Sequence, residues 1–232
     1  MSHTYVVATV RPWNIRVFRE IVAGYPGKWY LVTDPEQLTA DAISSLAPRY
    51  VFFPHWNALV GEDILGLSEC VCFHETDLPF GRGGSPLQNL IARGIHDTKL
   101  SALRMTDELD AGPIYMQRPL SLHGLAEEIY LRAAHLVAEM IREIALDEPR
   151  PTPQVGTPVS FRRRRPAESE IPADRFTTLE EIFDHIRMLD AAEYPPAFIR
   201  WGAWRLEFSR PALRTDFVEA SVRISMPRDR DA

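Results

Sequence analysis

Apolar positions along the chain fall into two alternating rhythms. Short runs rich in β-branched and aromatic residues, at Tyr5–Val10, Trp29–Val32, Tyr50–Phe53 and Glu69–Phe73, predict buried strands. Between them, Asn14–Ala23 carries Ile15, Phe18, Ile21 and Val22 at helical spacing and stops at Gly24. Thr39–Leu46 reads as a helix that ends before Pro48, and Pro86–Arg93 as one ended by Gly94. Leu100–Met105 and Gly112–Arg118 are strand-like. Leu125–Ala145 is a long amphipathic helix with Leu125, Ile129, Leu131, Leu136, Val137, Met140, Ile141 and Ile144 apolar. Strands alternating with helices predict an α/β fold, a mostly parallel sheet with helices on both faces.

The pattern changes at Asp147–Pro158, where Pro149, Pro151, Pro153 and Pro158 crowd together. Residues 149–166 therefore read as a Pro/Arg-rich linker between a main domain at 1–148 and a small C-terminal α+β appendage at 167–232. In the appendage, Thr177–Leu189 predicts a helix capped by Thr177 or Thr178 with glutamates behind it. Trp204–Phe208 and Phe217–Ile224 predict two strands. The end of the chain, Arg228–Ala232, is expected to fray.

Composition adds limits. With 232 residues, 45% hydrophobic and 25% charged, the chain can bury a sizeable core. A formal charge of -6 argues against an extended phosphate-binding surface. The run Arg162–Arg165 is followed by acidic residues and reads as linker or edge strand. No apolar stretch is long enough to span a membrane and no secretion signal is visible, so a cytoplasmic protein is expected. Cys70 and Cys72, at i, i+2 on one strand, point to the same face and are poorly placed for a mutual disulfide. No metal site is expected: no second cysteine pair exists, and His55, His96, His123, His135 and His185 lack ligand spacing. The first strand runs into Thr9-Val10-Arg11-Pro12-Trp13-Asn14 rather than a glycine-rich phosphate loop. The sheet is thus Rossmann-like without a seat for NAD, FAD or nucleoside triphosphate.

Chemistry concentrates in Val71–Pro119. His74 stands where a buried strand runs out, the position at which open α/β sheets bind ligands. Asp110 lies between two later strands, in Glu108-Leu109-Asp110-Ala111-Gly112-Pro113, and can turn into the same crevice. A histidine beside a carboxylate is a usable acid–base pair. Gly81, Gly83 and Gly84 allow close backbone approach to a ligand. Residues alone lead to an acid–base crevice in an α/β domain, with a capping histidine and a plain glycine loop as the alternative.

The segment Cys72-Phe73-His74-Glu75-Thr76-Asp77-Leu78-Pro79, followed by Gly81-Arg82-Gly83-Gly84-Ser85-Pro86 and by Asp110, resembles the formyltransferases that use 10-formyltetrahydrofolate. That family includes methionyl-tRNA, glycinamide ribonucleotide and sugar N-formyltransferases. Within it, Phe73–Ile91 resembles a subgroup acting on amino-sugar nucleotides and the formylation domain of some nonribosomal peptide synthetases. Phe52–Trp56 and Asp190–Pro195 fit the same subgroup. The resemblance implies a cytoplasmic transferase of surface-polysaccharide biosynthesis. It would move a formyl group from 10-formyltetrahydrofolate to a UDP- or dTDP-linked deoxyamino sugar, with no metal, nucleic acid or membrane involved and a homodimer allowed. The alternatives are a carrier-bound aminoacyl group or other amine as acceptor, or a non-catalytic folate binder. No RNA-binding domain of the methionyl-tRNA formyltransferase type is expected to follow.

By the same resemblance, His74 and Asp110 are catalytic. Loops 54–60 and 106–110 hold the folate, through Phe53, His55, Trp56, Leu59, Asp107 and Asp110. Arg11, Trp13, Asn14, Arg82 and Gly83 hold the acceptor, Arg11 and Arg82 on phosphate and Trp13 by stacking. One departure stands out. The family places Asn two residues before the histidine, and Cys72 stands there, a weak donor in its place. Thr76 and Asn57 are the substitutes to consider.

Overall fold

The computed structural model describes residues 3–172, 174–192 and 194–226. Strands β1 (Thr4–Ala8), β2 (Lys28–Val32), β3 (Tyr50–Pro54), β4 (Glu69–His74), β5 (Phe80–Gly83), β6 (Asp97–Arg104), β7 (Ile114–Ser121), β8 (Val159–Phe161), β9 (Ala197–Trp201), β10 (Trp204–Leu213) and β11 (Val218–Ser225) follow in chain order. Helices are α1 (Pro12–Glu20), α2 (Ala40–Leu46), α3 (Glu62–Leu65), α4 (Pro86–Ile91), α5 (Ala126–Asp147) and α6 (Leu179–Arg187). The chain forms two compact units that interleave in sequence. The first takes residues up to 83, 98–120 and 130–160; the second takes 84–97, 121–129 and the chain from 161 on.

The first unit is built on a six-stranded sheet of order β2-β1-β3-β4-β6-β7. β1 runs parallel to β2 and β3, and β3 parallel to β4; β6 is antiparallel to β4. Strand alternation sends Val6 and Ala8 to one face, where they pack with Ile43, Val51, Phe53, Val60, Ile64 and Cys70 beneath α2 and α3. Tyr5 points to the other face, and its hydroxyl donates to the Ala145 carbonyl of α5 at 3.1 Å. Both faces are therefore covered, as the continuous apolar runs require. Pro12 opens α1, where its fixed φ and missing N–H cost nothing. The helix ends at Glu20, earlier than periodicity suggests, and a 3₁₀ turn at Val22–Gly24 carries the rest.

The second unit holds the three-stranded antiparallel sheet β11-β10-β9 and α6. α6 opens with the expected capping box. Thr178 Oγ1 accepts from Glu181 N–H at 3.2 Å, while Glu181 Oε2 accepts from Thr178 N–H at 3.2 Å. Sequence reading expects two strands here; the third, β9, follows Pro195 and Pro196, which hide a short extended run. Glu193, in the Asp190–Pro195 segment, and Arg228–Ala232 lie outside the described residues.

Candidate active site

β4 carries His74 to its carboxyl end, 7% exposed, between β3 and β6. His74 Nε2 stands 2.7 Å from the Gly81 carbonyl. A carbonyl only accepts, so Nε2 is the protonated nitrogen and a neutral ring keeps its lone pair on Nδ1. Nδ1 faces Asp110 Oδ2 at 3.7 Å. A bare Nδ1 has nothing to donate at that distance; once protonated it becomes a cation beside a carboxylate. The arrangement places a proton-accepting nitrogen beside a carboxylate, the geometry of an acid–base pair.

Asp110 is held in place from several sides. It sits in the turn between β6 and β7 with φ +52°, a left-handed conformation that aspartate tolerates better than most residues. Its Oδ2 accepts the Gly83 N–H at 2.9 Å. Gly112 lies so close to β6 that a Cβ there would meet the Arg104 carbonyl at 1.7 Å. Behind His74, Thr76 is fully buried, and the Ser101 hydroxyl donates to its carbonyl at 2.7 Å. Gln117 Nε2 reaches Ser101 Oγ at 2.8 Å.

Cys72 lies on β4 between Phe53 and Leu103. Burial, with the Asp110 carboxylate adding to it, pushes its thiol well above the ordinary value. It is a neutral S–H at physiological pH and no nucleophile.

A small cavity is lined by Trp13, Asn14, Pro54, His55, Phe73, Glu75 and Tyr130 among others. His55 takes φ +50° there, and its Nδ1 is 3.8 Å from Glu75 Oε1. Burial, helped by the Arg11 charge, lowers the His55 pKa to about 3, so the ring is neutral. Burial also raises Glu75, against the pull of His74. Glu75 and Tyr130 were given no role by sequence reasoning; a glutamate that follows a strand-end histidine normally points to solvent.

The other residues expected to bind folate or acceptor divide between buried, engaged and exposed positions. Leu59 is 97% exposed and walls nothing; Asp107 is also exposed. Phe53 is buried in the core against Trp56, ring centroids 5.9 Å apart. The buried Trp56 indole N–H meets no acceptor among the described residues. Trp13 stacks face to face on Tyr130 at 4.9 Å and is buried, so its ring is not open to a base or sugar. Asn14 is buried too, with Nδ2 3.4 Å from the Pro54 carbonyl. The Arg11 guanidinium lies 5.9 Å over Trp13. Arg82 is engaged by Gln154 and Glu108, and Gly83 gives its N–H to Asp110. Among the described residues, no group of three or more His, Cys, Asp or Glu is placed to hold a metal ion, and no helix is long and apolar enough to cross a membrane.

A strand-end histidine facing a carboxylate is an arrangement suited to acid–base chemistry, and similarity to known proteins gives the class. Residues 166–225 match the family described as methionyl-tRNA formyltransferase, C-terminal domain. A solved structure described as methionyl-tRNA formyltransferase from Clostridium thermocellum is 42% identical, covering 97% of this chain and 100% of that one, with a TM-score of 0.91. The methionyl-tRNA formyltransferase of Wolinella succinogenes is 28% identical over 171 residues, 71% of this chain and 54% of that protein. A sugar N-formyltransferase structure from Shewanella shares 12% identity, with a TM-score of 0.71 over 92% of this chain and 99% of that one. The chain belongs to the formyltransferase family. It spans about half the length of the Wolinella protein.

These relatives overturn the amino-sugar acceptor expected from the sequence. The likeness in sequence is to methionyl-tRNA formyltransferases, and the likeness to a sugar enzyme is one of fold alone. The Phe73–Ile91 motif that carried the sugar reading builds the end of β4, the strand β5 and α4. Where the sequence reading expects no RNA-binding domain of the methionyl-tRNA formyltransferase type, residues 166–225 are similar to the C-terminal domain of that family.

Proposed function

We propose that the chain transfers the formyl group of 10-formyltetrahydrofolate to the α-amine of an aminoacyl ester, with methionyl-tRNA as the acceptor. The observation that carries the chemistry is the His74–Asp110 pair, with the ring's basic nitrogen turned to the carboxylate at 3.7 Å. Identity of 42% to a methionyl-tRNA formyltransferase along essentially the whole chain supports the acceptor. The net charge of -6 does not oppose a nucleic-acid partner, because only the aminoacyl end has to reach His74.

In this reading the neutral amine attacks the formyl carbon. His74 Nδ1 takes a proton from the amine as the new C–N bond forms. Asp110 stabilises the imidazolium that results. Collapse of the tetrahedral intermediate breaks the bond to N10, and the proton passes from His74 to N10, leaving formamide and tetrahydrofolate. An α-amine, with a pKa near 8 against about 10.4 for lysine, suits one imidazole base. His55 and Trp56 are the residues this reading assigns to the folate, and Phe53, 1% exposed in the core, backs Trp56. Phe53 and Trp56 are held against the core cluster, and the unpartnered Trp56 N–H is available to it.

The test is incubation with 10-formyltetrahydrofolate and methionyl-tRNA, followed by deacylation and mass spectrometry. N-Formylmethionine is expected. Folate binding without that product, together with formylation of an aminoacyl thioester on a carrier protein, would move the acceptor to the carrier.

A further inference from the structure

Resting on that reading of Asp110, we propose that Gln154 is a positioning residue of the site, and that the proline-rich segment carrying it is a strap rather than a spacer. The segment is pinned on both sides of Gln154. Thr152 and Ile114 exchange both backbone hydrogen bonds at 2.8 Å, and Val159 N–H donates to the Pro79 carbonyl at 3.1 Å. Around Gln154, Pro153 and Val155 are exposed, whereas Gln154 itself is half-buried.

Both ends of the Gln154 amide are used. Nε2 donates one hydrogen to the Asp110 carbonyl at 2.8 Å and the other to the Gly112 carbonyl at 2.9 Å. Oε1 accepts from Arg82 Nε at 3.1 Å and from Nη2 at 2.9 Å. Arg82 Nη1 goes on to Glu108 Oε1 at 3.2 Å, and the next residue, Gly83, gives its N–H to the Asp110 carboxylate. The result is a closed ring of contacts around a residue in a left-handed conformation. Only a primary amide offers two donors and an acceptor at these points. A glutamate would turn an oxygen toward two carbonyls, and an aliphatic side chain would leave both carbonyls and the guanidinium without this partner. Gln154 touches neither reacting group in the structure; it acts through the Asp110 main chain.

The test measures hydrogen exchange and steady-state turnover in Gln154→Ala and Gln154→Glu. Exchange at the Gly83 amide should speed up in both variants while β1 and β3 amides stay protected, because the acceptor carboxylate is no longer fixed. With methionyl-tRNA as acceptor, kcat should fall by about ten- to hundredfold, the scale of a misplaced catalytic group, with the KM for folate little changed. Gln154→Glu should be as impaired as Gln154→Ala although it keeps an oxygen for Arg82. Unaltered Gly83 protection in both variants would overturn the inference. So would wild-type kcat, or a loss of protection spread equally over β1 and β3, which would mark a general structural role. Asp110→Asn separates the two claims. If it turns over like wild type, the catalytic reading of Asp110 falls. If it is impaired while Gln154→Ala is not, only the role of Gln154 falls.

Discussion

Asp110→Asn isolates one charge. Asparagine keeps the size of the side chain and tolerates the left-handed backbone at φ +52°. Its amide oxygen can still accept the Gly83 N–H that Asp110 Oδ2 holds at 2.9 Å. What disappears is the carboxylate 3.7 Å from His74 Nδ1, in a place where both side chains are nearly enclosed. Two unit charges at that separation attract by about 4 kcal/mol at an effective dielectric of about 20. Half an imidazolium charge in the transition state leaves about 2 kcal/mol. The expected loss in kcat is therefore about thirtyfold to thousandfold. Binding of 5-formyltetrahydrofolate, followed by calorimetry, should change much less, since the charge acts on a proton in transit. A kcat within about threefold of wild type, with the fold intact, would refute the argument, because even half the electrostatic contribution would then be missing.

Other outcomes follow from the same structure. Cys72→Ala should keep most turnover in the same assay, because a neutral buried thiol is replaced by a small apolar group. A large loss with the fold retained would make the thiol a participant. Gly112→Ala should disrupt the Asp110 turn, since a Cβ would meet the Arg104 carbonyl at 1.7 Å; purified variant should show lower thermal stability as well as lost turnover. His185, buried in the second unit with Nε2 3.2 Å from the Ser169 carbonyl, has its pKa lowered to about 4 by burial. The unfolded chain then binds the extra proton first, so stability is full above pH 6.5 and falls as pH drops toward 4, by about 3 kcal/mol across the window. Urea unfolding of the second unit at pH 7.5 and pH 4.5 should show that dependence, and His185→Gln should remove it.

Much of the fold was legible because it depends on periods that a sequence displays openly. The buried runs at β1, β3 and β4 and the stripe of α5 could hardly fold otherwise, and the Thr178 cap was visible three residues ahead of Glu181. His74 stood out for its place at the end of a strand, and Asp110 for its turn. Residues that depend on the fold's return path were invisible. Gln154 sits among prolines that read as linker, and nothing local says that β7 runs alongside. Trp13 invites a stacking role until Tyr130, more than a hundred positions later, is seen lying flat on it. Leu59 is an apolar loop residue that suggests a wall, and the structure leaves it 97% exposed. The acceptor was misread because the motif around His74 describes a strand end and its loop and not the partner brought to it.

The measurement that bears most directly on the account is transfer of labelled formyl from 10-formyltetrahydrofolate to methionyl-tRNA by the wild-type chain and by His74→Asn. The account predicts labelled N-formylmethionyl-tRNA from the wild type. It predicts turnover lower by about two to four orders of magnitude from the variant, with 5-formyltetrahydrofolate still bound. Transfer by His74→Asn at more than about a tenth of the wild-type rate, well short of that range, would contradict it.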